Sequence, residues 1–367
     1  MPGASPLVLL AAGGTGGHLF PAESLAVVLN KRGATVDLAT DVRAAHFEFP
    51  AREVHLIPSA TVRGRDPISL ARTALMLGRG TLKAWSVIGR IRPAVVVGFG
   101  GYPTVPPLIA ASWRNVPTVL HEQNGVMGRA NRLLAARVTA IATGFRVLDK
   151  VDDSVRAKLT FTGNPVRPLV IEASKVPYHP LNADGTLRLL VFGGSQGARV
   201  MSEIVPAAVE KLDAALRARL HIVQQARPED IDSVSAHYDK LGVAHTCAPF
   251  FSDLPVRMAA AHLVISRSGA STVAELSAIG RPGILVPLPH ALDQDQLANA
   301  GVLQDAGGAI RIVQAEFTPE RLAREIAGLA ADSSRLSVMA QAAKAAGTVD
   351  AAERLADLVL KIAGGSV

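Results

Sequence analysis

Two glycine-rich loops, half a chain apart, are the residues best suited to chemistry in this sequence. Gly193-Gly194-Ser195-Gln196-Gly197 follows the apolar run Leu187–Phe192, and Gly13-Gly14-Thr15-Gly16-Gly17 follows Leu7–Ala12 at an offset of 180 residues. Each loop can direct backbone N–H groups and a helix N-terminus toward an anion. A single glycine turn after a strand is often purely structural, but a third loop, Gly98-Phe99-Gly100-Gly101-Tyr102, favours ligand binding. The pattern predicts a phosphate-bearing ligand.

The loops do not match the phosphate motifs of dehydrogenases or kinases. Counted from Gly14, the sixth position of the first loop is Leu19, where a dinucleotide-binding motif requires glycine. None of the three loops ends in the Gly-Lys-Ser/Thr of an ATP-binding P-loop. Generic anion binding is therefore the chemistry that the loops support.

Short apolar runs alternate with helix-like segments along the whole chain, which predicts two doubly wound α/β domains. The predicted strands of the first half are Leu7–Ala12, Thr35–Ala39, Val95–Val97, Thr118–Leu120 and Val138–Ala142, and those of the second half are Leu187–Phe192, Leu220–Val223, Leu263–Ile265, Gly283–Val286 and Ala309–Ile312. Gly163–Gly185 is rich in proline and polar residues and is the predicted linker. A last amphipathic helix, Ala351–Ala363, needs a partner for its apolar face.

Composition favours an enzyme of a reducing compartment. Of 367 residues, 49% are hydrophobic and one, Cys247, is cysteine, so the chain can form no internal disulfide. Its start lacks the basic region of a signal peptide, and no apolar run reaches the ~18 residues of a membrane span. We therefore expect a cytoplasmic protein.

Positive charge is concentrated between Thr61 and Pro93, where seven basic residues stand against one acid, Asp66. Leucines, Trp85 and other apolar residues are interleaved with them. Such a stretch is typical of a surface that rests on anionic lipid headgroups, and the alternative is a solvated amphipathic helix with a core-facing stripe. Nucleic acid is not an expected partner, because aromatic residues are 4% of the chain and no stacking platform is evident.

Six motifs identify a resemblance. They occur in family order and are Gly13-Gly14-Thr15-Gly16-Gly17-His18, Gly98-Phe99-Gly100-Gly101-Tyr102, His121-Glu122-Gln123-Asn124, Gly163-Asn164-Pro165-Val166-Arg167, Gly193-Gly194-Ser195-Gln196-Gly197-Ala198 and Arg267-Ser268-Gly269-Ala270-Ser271-Thr272-Val273-Ala274-Glu275. Together they closely resemble the MurG family of UDP-N-acetylglucosamine (UDP-GlcNAc) transferases. These enzymes add GlcNAc to undecaprenyl-pyrophosphoryl-MurNAc-pentapeptide, lipid I, to form lipid II of peptidoglycan.

The resemblance implies a GT-B fold, in which two Rossmann-like doubly wound domains face each other across a cleft. Residues 1–166 would form an acceptor-binding, membrane-facing domain on which a C-terminal helix, 346–367, packs back, and residues 167–345 would bind UDP-GlcNAc. The implied reaction is an inverting transfer without a covalent intermediate. It also implies a place on the cytoplasmic face of the membrane, with its anionic inner leaflet and other cell-wall synthesis proteins as partners.

The resemblance assigns most of the site residues to the donor. They are Thr15, Gly16, Gly17, Asn124, Arg167, Ser195, Gln196, Phe251, Ser268, Gly269, Ala270, Ser271, Thr272, Glu275 and Gln296. Glu275 would accept hydrogen bonds from the ribose, although Thr272 and Glu275 also have the spacing of a helix-capping box. Arg167 would neutralise the charge on departing UDP, whereas Phe251 could equally be a core residue. Asp295 and Gln294 precede Gln296 with roles left open.

The acceptor side would consist of Gly14, Tyr102 and Asn131. Two residues compete as the base for the acceptor C4 hydroxyl. His18 lies where the first loop enters a helix, whose positive end favours a neutral imidazole, and Glu122 is its rival. His18 could instead only anchor the loop or bind the acceptor pyrophosphate. No Asp-x-Asp pair of the metal-dependent transferase fold is evident, so we expect neither a metal at the catalytic centre nor another cofactor.

Three other functions remain open at this stage. A related GT-B enzyme could use a different lipid or a natural product as acceptor. A UDP-GlcNAc epimerase shares the fold, and a noncatalytic nucleotide sensor is the non-enzyme alternative.

Overall fold

The computed structural model describes residues 5–14, 16–44, 48–60, 66–194, 197–289 and 293–364. The chain divides into two compact units, Met1–Arg167 with Asp350–Val367, and Pro168–Val349. The corresponding divisions predicted from the sequence lie after residues 166 and 345. Each unit contains one sheet whose strands are all parallel.

Among its described residues, the first unit has seven strands and five α-helices. Its strands are β1 (Leu7–Ala11), β2 (Thr35–Thr40), β3 (Val54–Leu56), β4 (Val95–Gly98), β5 (Thr118–Glu122), β6 (Ala140–Thr143) and β7 (Leu159–Phe161). Its α-helices are α1 (Gly16–Lys31), α2 (Pro67–Ile91), α3 (Val105–Trp113), α4 (Arg129–Ala135) and, from the C-terminus, α14 (Ala351–Ala363). Short 3-10 helices span Val42–Ala44, Tyr102–Thr104 and Asp153–Lys158.

The strand order of this sheet is β3-β2-β1-β4-β5-β6-β7. The order reverses between β1 and β4, which pair in parallel from Val8 with Val95 to Ala11 with Gly98. Ligands of open α/β sheets bind at such a reversal, beyond the carboxyl ends of the strands. The glycine loops after β1 and β4 therefore both emerge at the place where topology predicts a site.

Alternate residues of β1 point to opposite faces of the sheet, and each face has its own apolar core. Val8 and Leu10 pack in the core that contains α1 and the buried side of α14. Leu9 and Ala11 pack in the core that α2, α3 and α4 cover. The sheet is thus buried on both faces, which explains why β1 and β4 contain no polar or charged side chain.

The second unit has six strands and nine α-helices among its described residues. The strands are β8 (Leu187–Phe192), β9 (Leu220–Gln225), β10 (Ala244–Ala248), β11 (Leu263–Ser266), β12 (Gly283–Leu285) and β13 (Ala309–Arg311). The helices are α5 (Pro168–Ala173), α6 (Arg199–Glu210), α7 (Ala214–Ala218), α8 (Ile231–Lys240), α9 (Leu254–Ala260), α10 (Ala270–Ile279), α11 (Asp295–Asp305), α12 (Pro319–Ala331) and α13 (Ser333–Ala346), with a 3-10 helix at Gln314–Glu316.

This sheet repeats the topology of the first. Its order is β10-β9-β8-β11-β12-β13, with the reversal between β8 and β11. The second glycine loop follows β8, and the Arg267-Ser268-Gly269 turn follows β11. The predicted donor motifs therefore also meet at a reversal point.

The predicted linker, Gly163–Gly185, is not a plain connection, because it contains α5. Pro168 begins this helix, where its missing N–H group costs no hydrogen bond, and Val170 and Ala173 are buried. The next segment is held by Arg281, whose Nη2 donates to the carbonyls of Val176 and Pro177 at 3.2 and 3.1 Å. The proline-rich composition concealed this ordered segment.

Helix α2 buries mostly small side chains and exposes several large apolar ones. Asp66 caps its N-terminus by accepting a 2.9 Å hydrogen bond from the Ser69 N–H. The buried positions are Thr73, Gly80, Thr81, Ala84 and Ile88, whereas the exposed ones include Leu75, Met76, Leu82 and Trp85. A Cβ on Gly80 would lie 2.0 Å from the Pro58 carbonyl oxygen, so the small residues permit a close approach. Helix α2 therefore has a core-facing stripe, as the alternative above predicts, and it exposes large apolar side chains as well.

No α-helix among the described residues combines the length and the hydrophobicity that crossing a bilayer requires.

Candidate functional site

A histidine lies beside two of the glycine loops. His18 lies in the first turn of α1, directly after the loop that follows β1. A Cβ on Gly101 would stand 3.4 Å from His18 Cε1, and one on Gly100 would stand 3.5 Å from His18 Cδ2. The imidazole therefore lies against the loop that follows β4, which side chains at either glycine would crowd. Its Nδ1 is inaccessible and has no hydrogen-bond partner among the described residues.

The surroundings of His18 keep its imidazole neutral. Burial and the nearby positive charge of Arg43 lower the pKa of His18 to about 4. Arg43 follows β2, and its Nη2 lies 3.3 Å from the place of a Cβ on Gly14. The pKa makes His18 a proton acceptor at neutral pH.

Glu122, the rival base, is a buried carboxylate with four donors. Its Oε1 accepts hydrogen bonds from the backbone N–H and the Nδ2 of Asn124, at 2.9 and 3.2 Å. Its Oε2 accepts from the Gly128 N–H at 2.9 Å and from Asn131 Nδ2 at 2.6 Å. Burial raises the pKa of Glu122, and these bonds oppose the rise. The carboxylate thereby fixes the 124–131 segment.

A second buried network joins the loop after β4 to the end of the first unit. Gln123 Nε2 donates to the Phe99 carbonyl at 2.8 Å, and the Gln123 carbonyl accepts from Asn164 Nδ2 at 2.8 Å. His121 Nε2 lies 3.1 Å from the Gly163 carbonyl. Three of the sequence motifs are thus one hydrogen-bonded structure, which sets the position of the loop beside His18.

The predicted acceptor residues flank this loop. Tyr102 begins the 3-10 helix Tyr102–Thr104, and Gly14 adopts the left-handed region with φ of 85°. Asn131 is buried in α4, and a Cβ on Gly100 would stand 3.3 Å from its Nδ2. Its Oδ1 has no partner among the described residues. The predicted acceptor residues therefore belong to the region around His18 and Arg43, namely Gly14, Asn131 and the loop that contains Tyr102.

Arg167 packs on the first helix of the same unit. Its guanidinium lies 4.7 Å from the centre of the Phe20 ring, and its charge acts on Glu23. A Cβ on Gly16 would stand 2.9 Å from Phe20 Cε2. These contacts bring Arg167 to the N-terminal part of α1, which begins with Gly16 and Gly17.

The second glycine loop makes a turn that only glycine permits at its first position. A Cβ on Gly193 would stand 2.2 Å from the backbone nitrogen of Ala198, and the Gly193 N–H donates to Gln225 Oε1 at 3.1 Å. Gly194 has a φ of 94° and Gly197 one of 69°. The loop so held leads directly into α6.

The first unit contains a cavity of about 640 Å³ beside Arg43, and the second contains one of about 630 Å³ that is lined by its glycine loop. The second cavity is lined by Gly193, Gly194, Gly197, Ala198, Arg199, Val200, Glu203, Arg227, Arg267, Gly269, Thr272, Leu288, Pro289, Gln296 and Gln314. Its size is that of a small-molecule site. Three of its residues, Gly269, Thr272 and Gln296, were predicted to bind the donor.

Three arginines of this cavity were missed by sequence reasoning. Arg227 follows β9, and its Cγ lies 3.1 Å from the place of a Cβ on Gly197. Arg199 is in the first turn of α6 and pairs with Glu203. Arg267 is buried and donates to the Val286 and Pro287 carbonyls at 3.1 and 3.0 Å, so it supports the wall. The feature that could have identified Arg227 as a site residue is its position just after β9, the strand that pairs with β8.

Predicted donor residues after β11 form a connected wall. Ser268 Oγ donates to the Gln296 carbonyl at 2.8 Å, and Asn299 Nδ2 donates to the Ser268 carbonyl at 3.2 Å. Gln296 Oε1 accepts from the Leu288 N–H at 3.0 Å. Gln294 precedes α11 in the left-handed region, with φ of 54°, and Asp295 Oδ1 accepts from the Gln296 N–H. These contacts orient Gln296 at the cavity.

The predicted capping box at Thr272 and Glu275 is wrong. Helix α10 begins at Ala270, its N-cap is Gly269, and no side chain caps it. Ala270, Ser271 and Thr272 are therefore its first three residues, and Glu275 lies in the second turn, where it is buried. Glycine can serve as an N-cap, so the spacing of Thr272 and Glu275 alone does not locate the start of the helix.

Phe251 is buried, and Phe250 is the exposed member of the pair at 66% of its area. The Arg257 guanidinium lies 4.4 Å from the centre of the Phe251 ring. The ring of Phe251 is thus enclosed by its own unit, which leaves its backbone for a ligand. The predicted donor residues Thr15, Ser195 and Gln196 lie outside the described residues.

One group of side chains in the first unit has the spacing of a metal site, namely Asp37, Glu53 and His55. Arg52 donates to both oxygens of Asp37 at 2.9 and 2.7 Å, and His55 Nε2 lies 3.0 Å from Oδ2. Burial raises the pKa of Asp37, but the hydrogen bonds and charges of Arg52 and His55 lower it on balance. Arg52 therefore already compensates the negative charge of the Asp37 carboxylate.

Comparisons with known proteins agree with this arrangement. Residues 8–143 match the glycosyltransferase family 28 N-terminal domain, and residues 188–355 match the glycosyltransferase family 28 C-terminal domain. A relative from Rhodopseudomonas palustris is 63% identical over 98% of this chain and 99% of its own. One from Bradyrhizobium is 60% identical over 99% of this chain and all of its own. Both are named UDP-N-acetylglucosamine--N-acetylmuramyl-(pentapeptide) pyrophosphoryl-undecaprenol N-acetylglucosamine transferase.

Solved structures agree as well. Acinetobacter baumannii MurG is 27% identical, with a TM-score of 0.78 over 97% of this chain and 99% of that one. A UDP-GlcNAc 2-epimerase from Neisseria meningitidis shares only the fold, at 14% identity and a TM-score of 0.65 over 97% of this chain and 100% of the other. The predicted GT-B class, with two Rossmann-like domains, is confirmed. This chain belongs to glycosyltransferase family 28 and is a glycosyltransferase.

Proposed function

We propose that this enzyme transfers GlcNAc from UDP-GlcNAc to the C4 hydroxyl of MurNAc in lipid I, forming lipid II of peptidoglycan. The supporting observation is near full-length identity of 60 to 63% to relatives named for this reaction. The two sites described above have the chemistry that it requires. One offers a neutral histidine beside a glycine loop, and the other a cavity with cations at its glycine loop.

The donor belongs in the cavity of the second unit. Its diphosphate lies against Gly193, Gly194 and Gly197, with Arg227 and Arg199 supplying positive charge. The Gly269 to Thr272 turn, with Ser268 behind it, lines the nucleoside side, and Glu275 binds the ribose. Gln296 offers both a donor and an acceptor to the sugar hydroxyls. The predicted Ser195 and Gln196 complete the diphosphate side.

The acceptor belongs on the first unit, where Gly14, Tyr102 and Asn131 surround the loop beside His18. The N-terminal part of α1 and Arg43 attract its pyrophosphate. The first unit also contains four residues that the resemblance assigns to the donor, namely Thr15, Gly16, Gly17 and Asn124. Glu122 is a positioning residue in this account, because its four hydrogen bonds fix the segment that carries Asn131.

The chemistry is a single displacement. His18 accepts the proton of the C4 hydroxyl while that oxygen forms a bond to C1 of GlcNAc. The bond from C1 to the diphosphate oxygen breaks, and its electron pair leaves with UDP, so the configuration at C1 inverts. Arg167 and the loop N–H groups stabilise the charge on the leaving diphosphate. A β1,4 linkage results, and protonated His18 returns its proton to water.

Helix α2 supplies the surface on which the enzyme rests at the anionic inner leaflet. Leu75 and Leu82 are 64% and 67% exposed, and Arg72 and Arg79 lie on the same face. Arg114 stacks on Trp85 with its guanidinium carbon 3.7 Å from the ring centre, beside exposed Trp113. This tryptophan, on α3, extends the surface beyond the stretch noticed in the sequence. A peripheral position on the cytoplasmic face of the membrane follows.

The function is tested by incubating the purified chain with UDP-GlcNAc and a water-soluble, short-chain lipid I analogue. We expect equal amounts of UDP and of acceptor carrying one added GlcNAc. Parallel incubations contain a glycosylated natural product or diacylglycerol as acceptor, and one lacks acceptor. Formation of UDP-ManNAc without acceptor would show an epimerase, binding of UDP-GlcNAc without turnover a sensor, and preference for either other acceptor a different transferase.

A further inference from the structure

The cavity of the first unit is lined by apolar side chains together with two cations and one acid. Its volume is about 640 Å³, and its lining residues are Asp41, Val42, Arg43, Leu56, Ile57, Pro58, Ser59, Ala60, Met76 and Lys83. Most of this lining is apolar, and Arg43 and Lys83 are its cations. Such a cavity fits a ligand that has an apolar part joined to an anionic one.

Arg43 connects this cavity to the first glycine loop. Its guanidinium Nη2 lies 3.3 Å from the place of a Cβ on Gly14, and the same side chain lines the cavity. Asp41 accepts a 2.9 Å hydrogen bond from its Nε and a second bond from Nη2, which holds the guanidinium in place. An anion at the loop and a chain in the cavity can therefore belong to one molecule.

The other wall of the cavity is α2. Met76 and Lys83 are two turns apart on this helix and line the cavity. Leu75 and Leu82, one residue before each, are exposed and do not line it. The cavity thus lies between the glycine loop and the exposed apolar face of α2. A lipid tail that starts at the loop reaches that face by passing along the cavity.

We propose that this cavity binds the isoprene units next to the diphosphate of the lipid-linked acceptor, with Arg43 and Lys83 contacting the diphosphate. The inference rests on the proposed function and adds a subsite for the lipid. Two cations and a mostly apolar lining, near a glycine loop that can bind an anion, match a polyprenyl diphosphate better than an uncharged chain. Recognition by this subsite takes place in the protein and needs no bilayer.

The test uses two water-soluble acceptors that carry the same MurNAc-pentapeptide diphosphate on one or on four isoprene units. Ala60→Trp fills the cavity, and Met76→Gln removes apolar area at an exposed helical position that tolerates polar residues. We expect each variant to raise KM for the four-unit acceptor about tenfold and to leave KM for the one-unit acceptor within about twofold. Ala136→Trp, at an exposed site outside the cavity, is the matched control and should change neither value.

Competition with the four-unit acceptor supplies a second measurement. Farnesyl diphosphate should compete with the four-unit acceptor at least tenfold better than inorganic pyrophosphate, and Ala60→Trp should abolish this advantage. Equal effects of Ala60→Trp and Met76→Gln on both acceptors, or none on either, would overturn the proposal. Equally strong competition by a short-chain phosphatidylglycerol would do so too, because the cavity would then accept any lipid. Transfer to the one-unit acceptor by the unmodified enzyme reports separately on the proposed function.

Discussion

Arg43 and Arg227 occupy equivalent places in the two units. Each follows the strand that pairs with the first strand of its sheet, β2 beside β1 and β9 beside β8. Each side chain lies against a glycine of the adjacent loop, Arg43 at Gly14 and Arg227 at Gly197. The topology that repeats the two loops therefore also repeats a cation beside each of them.

This equivalence predicts that substitutions of the two arginines raise the KM values of different substrates. Arg227→Gln should raise KM for UDP-GlcNAc, and Arg43→Gln should raise KM for the acceptor, each by about 10- to 100-fold, since a hydrogen bond to a charged group contributes about 1.5–3 kcal/mol. Steady-state kinetics with each substrate varied in turn measure both values. If both variants raised the same KM, the assignment of one substrate to each loop would fail.

His18 and Glu122 are separated by their variants. His18→Ala should lower kcat by about 10²- to 10⁴-fold, the usual contribution of a general base, while UDP-GlcNAc binding and Tm stay near those of the unmodified chain. Glu122→Gln should lower Tm, because an amide nitrogen would face buried donors that now meet a carboxylate oxygen. Calorimetry and single-turnover rates measure these outcomes. A stable Glu122→Gln variant with the larger loss of kcat would make Glu122 the base.

The acidic limb of the pH–rate profile should reflect the low pKa of His18. Only the neutral imidazole accepts a proton, so kcat/KM should fall as the pH drops through about 4 and not near 6.5, the ordinary histidine value. The Arg43 charge lowers this pKa, so Arg43→Gln should move the limb to higher pH. Circular dichroism at each pH provides the control for folding. An identical limb in both enzymes would exclude this coupling.

Membrane docking is tested with the charges of α2 that do not line the cavity. Arg72→Glu together with Arg79→Glu should weaken binding to vesicles containing anionic phosphatidylglycerol, since each charge near such a surface contributes ~1 kcal/mol. Transfer to lipid I in those vesicles should slow, and turnover of the short-chain acceptor should stay within about twofold. Vesicle co-sedimentation and both transfer rates are measured in parallel. Unchanged sedimentation would refute the docking surface.

Sequence patterns predicted the central strands and the last helix because burial makes these segments apolar with clear periodicity. Ala351–Ala363 was predicted with the bounds that the structure has. Of the four edge strands, β13 was predicted, but β3, β7 and β10 were missed because they are half exposed, and β10 contains His245, Thr246 and Cys247. Their pairing depends on neighbouring strands and leaves little pattern in the chain.

Site residues within motifs could be named from the sequence, but their partners could not. The motifs indicated His18 and Glu122 as rivals, yet only the fold shows that Glu122 has four donors and that His18 lies near Arg43. Arg43 and Arg227 carry no motif of their own. Their positions become informative only when the sheet order brings the strand before each beside a glycine loop.

The central claim is an inverting transfer of GlcNAc to the C4 hydroxyl of lipid I. NMR spectroscopy of the purified product, made from UDP-GlcNAc and a short-chain lipid I analogue, tests it most directly. The account predicts a single new glycosidic bond, with β configuration at C1 of GlcNAc and attachment at C4 of MurNAc. An α linkage, attachment at another hydroxyl, or release of free GlcNAc in place of a disaccharide would contradict it.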